Sequence, residues 1–118
     1  MRVISIRGAI TVEKNTSENI LDNTTKLLET IIKKNNIKSK DIISVLFTAT
    51  SDIDSAYPAK AARQMGLLDC SLLCFQEMYV KDSLSRCIRV LLMLNSIKSQ
   101  TEVNHIYLKE AKVLRKDI

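Results

Sequence analysis

Apolar residues recur along this chain with two different spacings, and the changes of spacing divide it into elements. Val3, Ile4 and Ile6 form a short apolar run that predicts a first strand, ending at Arg7 and Gly8. In the polar stretch that follows, Asn15 or Thr16 can cap a helix that carries Glu18 in its first turn. Ile20, Leu21, Leu27, Leu28, Ile31 and Ile32 then fall on one helical face, and Lys33-Lys34-Asn35-Asn36 closes the helix with cations at its carboxyl end. The run from Ile42 to Ala49 predicts a second strand, and Ser51 to Ser55 a loop. Pro58 suits the first turn of a short helix reaching Met65, with Gly66 as its cap. Further strands are expected over Ser71 to Gln76, Ile88 to Leu94 and His105 to Leu108.

This order predicts an α/β (α+β) fold in one domain, 1–118: a single mixed sheet of about five strands packed with about two helices. The strands offer more apolar surface than two helices can cover. The second face of the sheet is therefore expected to meet another copy of the chain.

One residue breaks the pattern. Every neighbour of Arg89 in Cys87-Ile88-Arg89-Val90-Leu91-Leu92-Met93-Leu94 is apolar, so the run reads as a strand buried on both faces, or nearly so. A guanidinium keeps its proton in a protein, and burying it unpaired costs on the order of several kcal/mol. An anion is expected to answer it. Glu77, at the end of the strand-like run Leu72-Leu73-Cys74-Phe75-Gln76-Glu77-Met78, is either that partner or a second group facing a shared ligand.

Composition narrows the classes. Apolar content of 46% and charged content of 26% are those of a globular chain. A net charge of +5 suits an anionic partner. The basic residues are dispersed, however, and aromatics amount to three Tyr and two Phe, so a nucleic-acid partner is not expected. No apolar run approaches membrane-spanning length, and the amino terminus is too short and charged for a signal peptide. Cys70, Cys74 and Cys87 form no CxxC, and His105 lies far from them in sequence. Neither a metal site nor a disulfide framework is expected, and reduced cysteines fit a cytoplasmic protein.

The sequence holds no P-loop, dinucleotide fingerprint or nucleophile–base set. The polar groups at element ends are Arg7, Tyr57, Lys60, Arg63, Cys74, Glu77, Arg89, Tyr107 and Arg115. Taken singly, Lys60, Arg63 and Arg115 read as solvated charge, Cys74 as packing, and Tyr107 equally as core or site. Together they are rich in guanidinium, which binds carboxylates bidentately, and poor in bases. Such a set suits a small polyanion whose reaction needs electrostatic stabilisation more than proton transfer. Strict alternation also separates Leu73, Phe75 and Glu77 from Leu72, Cys74 and Gln76 on opposite faces of one strand.

In order and spacing, Ile6-Arg7-Gly8-Ala9-Ile10-Thr11-Val12-Glu13, Thr48-Ala49-Thr50-Ser51-Asp52, Tyr57-Pro58-Ala59-Lys60-Ala61-Ala62-Arg63, Cys74-Phe75-Gln76-Glu77-Met78, Cys87-Ile88-Arg89-Val90, His105-Ile106-Tyr107-Leu108 and Val113-Leu114-Arg115 resemble the small, trimeric, barrel-like class of chorismate mutases. The resemblance runs nearly end to end. It implies a pseudo-barrel homotrimer with sites at subunit interfaces, turning chorismate into prephenate by a pericyclic rearrangement in phenylalanine and tyrosine synthesis, without cofactor or metal. By motif, Arg89 would face the breaking ether bond, and Glu77 and Cys74 the ring hydroxyl. Arg7 and Tyr107 would bind the side-chain carboxylate. Tyr57, Ala59, Lys60 and Arg63 of a neighbouring subunit would close the site, with Leu73, Phe75 and Gln76 lining it and Leu114 and Arg115 as a lid. Tyr57 stands where the family commonly has phenylalanine, Leu73 where it has a smaller or polar residue, Asp82 where it has a turn glycine, and Lys116 where it has proline. A non-enzymatic trimeric module that binds a small carboxylate is the alternative, since the same arginines would serve it.

Overall fold

The computed structural model describes residues 1–115; Lys116 lies outside the described residues. Five strands form one sheet in the order β3-β2-β4-β1-β5, comprising β1 (Arg2–Thr11), β2 (Ile42–Ala49), β3 (Ser71–Gln76), β4 (Cys87–Ser96) and β5 (Ile106–Leu108). The central strand β4 runs antiparallel to both β1 and β2, while β5 is parallel to β1 and β3 is parallel to β2. Two helices, α1 (Ser17–Lys34) and α2 (Ala59–Gln64), cover one face, and a terminal 3-10 helix (Lys109–Arg115) follows β5.

Of the two candidate caps, Thr16 closes α1, its hydroxyl accepting from the Asn19 N–H at 3.1 Å. Asn15 instead accepts from the backbone of Asp54 and Ser55, tying the helix start to the loop after β2. The buried stripe of α1 is Ile20, Asn23, Thr24, Leu27, Leu28 and Ile31. Leu21 and Ile32, expected on that stripe, lie at its margin, half-buried. Thr24 is tolerated inside because its hydroxyl donates to the Ile20 carbonyl.

The first strand does not end at Gly8. It continues to Thr11, and Arg7 lies mid-strand. Gly8 is the place where α1 approaches β1: a β-carbon there would stand 2.8 Å from Ile31 Cδ1. Gly66 does end α2, at φ +90. Asp82, in the position of the expected turn glycine, takes the left-handed conformation at φ 64.

The core lies between sheet and helices, built on Ile6, Ile10, Leu27, Leu28, Ile31, Val45, Phe47, Ile88 and Leu92. The opposite face is open. Leu46, Leu91 and Met93 are half-buried there, and Val3, Leu73 and Phe75 are exposed. Arg89 belongs to this open face, so the expectation of a strand buried on both sides is corrected: only Ile88, Val90, Leu92 and Leu94, the helix-facing alternation, are buried along with Cys87.

Candidate active site

The sheet register assembles the open-face site. Phe75 pairs with Thr48, Thr48 with Arg89, Arg89 with Ala9, and Ala9 with Tyr107, so one row crosses all five strands. Arg7 stands one row away, paired with Leu91. Glu77 follows β3, and its N–H donates to the Ala49 carbonyl at 2.9 Å, which fixes the segment against the end of β2. Arg7, Glu77, Arg89, Phe75 and Tyr107 thereby line one depression of about 350 Å³.

Within it the Glu77 carboxylate has two partners. Arg89 Nη1 lies 3.4 Å from Oε2, and the Thr48 hydroxyl donates to Oε1 at 2.5 Å. Of the two sequence readings of Glu77, the ion pair is therefore made, and it is open to solvent toward the same depression: the Arg89 side chain is 45% exposed and that of Glu77 22%. Arg115 comes back over the site from the terminal 3-10 helix, its guanidinium carbon 5.6 Å from the centre of the Tyr107 ring. Leu114 packs with Tyr107 against Ala9, Cys87 and Ala111.

His105 was not among the expected site residues, yet it supports Arg7. Its Nδ1 accepts from the Arg7 backbone N–H at 2.9 Å, which requires a neutral ring protonated at Nε2. Burial, then the positive charges of Arg7 and Arg115, hold its pKa below the ordinary histidine value. Thr48 and His105 belong to the motifs that carry the resemblance, but their contacts with Glu77 and Arg7 do not follow from the chain alone, because strand register makes them.

The remaining expected residues assemble on the other side of β3. Tyr57, Ala59, Arg63, Leu72, Leu73 and Cys74 line a second depression of about 300 Å³. Lys60 is exposed on the same short helix, and Gln76 lines a groove with Tyr57, Cys74 and Phe75. Burial pushes the Cys74 thiol up, opposed by a hydrogen bond to the Ala59 backbone and by the Arg63 charge, so it remains a thiol at neutral pH. The pairing of Cys74 and Glu77 implied by the resemblance is not made within one copy. Alternation holds through β3, placing Glu77 with Arg89 and Cys74 with Arg63.

Among the described residues no cluster of His, Cys, Asp or Glu is placed to hold a metal, and no helix is long and apolar enough to cross a membrane. The open-face arrangement can hold an anion with guanidinium groups while keeping one carboxylate beside it.

The sequence profile of the chorismate mutase type I family matches residues 3–118. Chorismate mutase AroH of Bacillus subtilis is 41% identical over 119 aligned positions, spanning all of this chain and 94% of that protein. Chorismate mutase AroH of Thermus thermophilus is 46% identical over 117 positions, spanning 98% and 96%. Among solved structures, a chorismate mutase from Clostridium thermocellum superposes with a TM-score of 0.91 at 46% identity, covering 92% of this chain and 97% of that one. A shared profile over nearly the whole length, close relatives and a shared fold lead to one conclusion: the chain belongs to the type I chorismate mutase family.

Proposed function

We propose that this chain converts chorismate to prephenate at a site built jointly by two copies, within a homotrimer. Family membership supports the reaction. The observation that carries the site is the convergence of Arg7, Glu77, Arg89 and Tyr107 on one open depression. Chorismate is a flexible dianion, and its rearrangement needs the compact conformer with the two reacting carbons in contact. Guanidinium and phenol groups fixed on neighbouring strands can hold such a conformer. In this reading Arg7 and Tyr107 bind a carboxylate, assisted by Arg115 and covered by Leu114. Arg89 donates to the ether oxygen, where negative charge grows as the C–O bond breaks. Glu77 sits by the ring, which becomes electron-poor at the same moment. No proton is transferred and the reaction uses no cofactor or metal.

Tyr57, Ala59, Lys60, Arg63, Leu73 and Cys74 then come from the neighbouring copy, with Phe75 and Gln76 at the seam. Two facts support a second copy: the α2 cluster and the Arg89 cluster lie on opposite sides of β3, and Leu73 and Phe75 are exposed. The free cysteines support a cytoplasmic setting.

Mixing two disabled variants tests the shared site. Arg89→Ala and Arg63→Ala are co-refolded in equal amounts, and loss of chorismate absorbance is followed. In randomly assembled trimers about a quarter of the sites draw both intact side chains from different copies. Activity should rise to about that fraction of the parent. Activity no higher than the mean of the two variants, or a fully active monomer in sedimentation, would overturn the shared site.

A further inference from the structure

We propose that Thr48 is a positioning residue, whose hydroxyl sets the orientation of the Glu77 carboxylate for the reaction; this rests on the chorismate mutase reading above. Glu77 lies just beyond the end of β3 and is fixed through its backbone N–H. That bond places its Cα but leaves three side-chain torsions to be settled. Arg89 is poorly suited to settle them. Its side chain is long and half-exposed, its contact with Glu77 is 3.4 Å, and it is the group that substrate is proposed to engage. Thr48 has the opposite properties. It sits on β2, which is hydrogen-bonded on both sides, and in register it lies between Phe75 and Arg89. Its β-branched side chain has one torsion and few rotamers. The hydroxyl donates to Glu77 Oε1, leaving Oε2 toward Arg89. One carboxylate oxygen is therefore held by a short, stiff arm from the sheet, and Arg89 can turn to substrate without releasing Glu77.

An arm that acts through Glu77 has a signature that general support of the strand lacks. Thr48→Val keeps the branched shape and removes the donor. With chorismate as substrate, kcat should fall about ten- to a hundred-fold, as for a lost hydrogen bond to a charged group. KM should change less than threefold or so, because Glu77 is not a carboxylate-binding group. Thr48→Ser should restore most of kcat. In a Glu77→Asp background the shorter carboxylate no longer reaches the hydroxyl, so Thr48→Val should cost about twofold or less there. Circular dichroism and sedimentation check that each variant is folded and assembled. If Thr48→Val fails that check, Thr48→Ala and Thr48→Ser carry the comparison.

Parent-like kcat in Thr48→Val overturns the proposal, as does failure of serine to rescue a folded enzyme. An equal loss in both Glu77 backgrounds does so too. Lack of chorismate turnover by the parent protein would instead sink the reading on which the proposal rests, so the two failures are distinguishable.

Discussion

Replacing Arg89 by lysine separates a catalytic arginine from a structural one, because the structure assigns very different magnitudes to the two. The side chain is 45% exposed, and its ion pair with Glu77 is a single contact at 3.4 Å. A half-open pair of this kind is worth about 0–1 kcal/mol to stability, and lysine keeps part of it. The strand is anchored by Ile88 and Val90, which lysine does not touch. Unfolding should therefore move by less than about 1 kcal/mol, or a few degrees in Tm for a chain of this size. Activity should respond otherwise. Lysine keeps the charge but gives up the planar fork that reaches two acceptors at once. If Arg89 donates to the ether oxygen, the loss falls in the transition state at about 3–4 kcal/mol, or roughly a hundred- to a thousand-fold in kcat. Chorismate absorbance gives kcat and KM, and urea unfolding at matched protein concentration gives stability. Parent-like turnover by Arg89→Lys would refute the role given to it. An unfolded variant would show that the arginine holds the fold, against its exposure.

Two further predictions concern the frame around the site. Gly8→Ala would set a β-carbon 2.8 Å from Ile31 Cδ1, 3.1 Å from the Ile106 carbonyl and 3.2 Å from Leu27 Cδ1, so the buried Ile31 and Leu27 methyls must re-seat and the Ile106 carbonyl must give by a few tenths of an ångström; a loss of about 1–3 kcal/mol in urea unfolding is expected, and no loss would mean that these methyls turn aside freely. His105 has a folded pKa below its ordinary 6.5, so the unfolded chain takes up protons more readily and stability should fall as pH drops below about 6.5, levelling off above it. As the single histidine in the chain, it can be read directly by nitrogen NMR; a pKa at or above 6.5, or a proton on Nδ1, would contradict the bond to the Arg7 N–H.

The elements were legible where periodicity was strong. The limits of β2 and β3 are those expected from their apolar runs, and the α1 caps follow from Thr16 and the terminal lysines. β1 and β4 run further than their apolar cores because each extends the other: Thr11 pairs with Cys87 and Arg2 with Ser96. A ladder recruits polar flanks that a hydrophobic pattern cannot report. Arg89 was misread for a related reason. Leu91 and Met93, which made its run look doubly buried, share its face and are only half-buried. A continuous apolar run does not distinguish a strand covered on both sides from one with a face left open. Thr48 and His105 stand in motifs that carry the resemblance, but no role for them follows from the sequence, because it depends on which residues lie opposite them, and register is a tertiary property.

The separation of Cys74 from Glu77 was, by contrast, readable from alternation, and it bears on what the site is for. Within one copy, Arg63 and Cys74 lie across β3 from Arg89 and Glu77, which supports the proposal that the two sets meet on one small molecule where two copies join. In the shared site proposed above, Arg7, Arg89 and Arg115 of one copy and Lys60 and Arg63 of its neighbour would surround Glu77. A module that merely bound a dicarboxylate would do better without Glu77, because a carboxylate held beside a dianion weakens the complex by like-charge repulsion. Its retention makes sense where positive charge develops on the ligand after binding. The polar transition state of the chorismate rearrangement is such a case: the enolpyruvyl fragment gains electron density as the ring loses it. In the reading proposed above, Arg89 and Glu77, 3.4 Å apart, stand at the two ends of one charge separation, Arg89 toward the ether oxygen and Glu77 beside the ring.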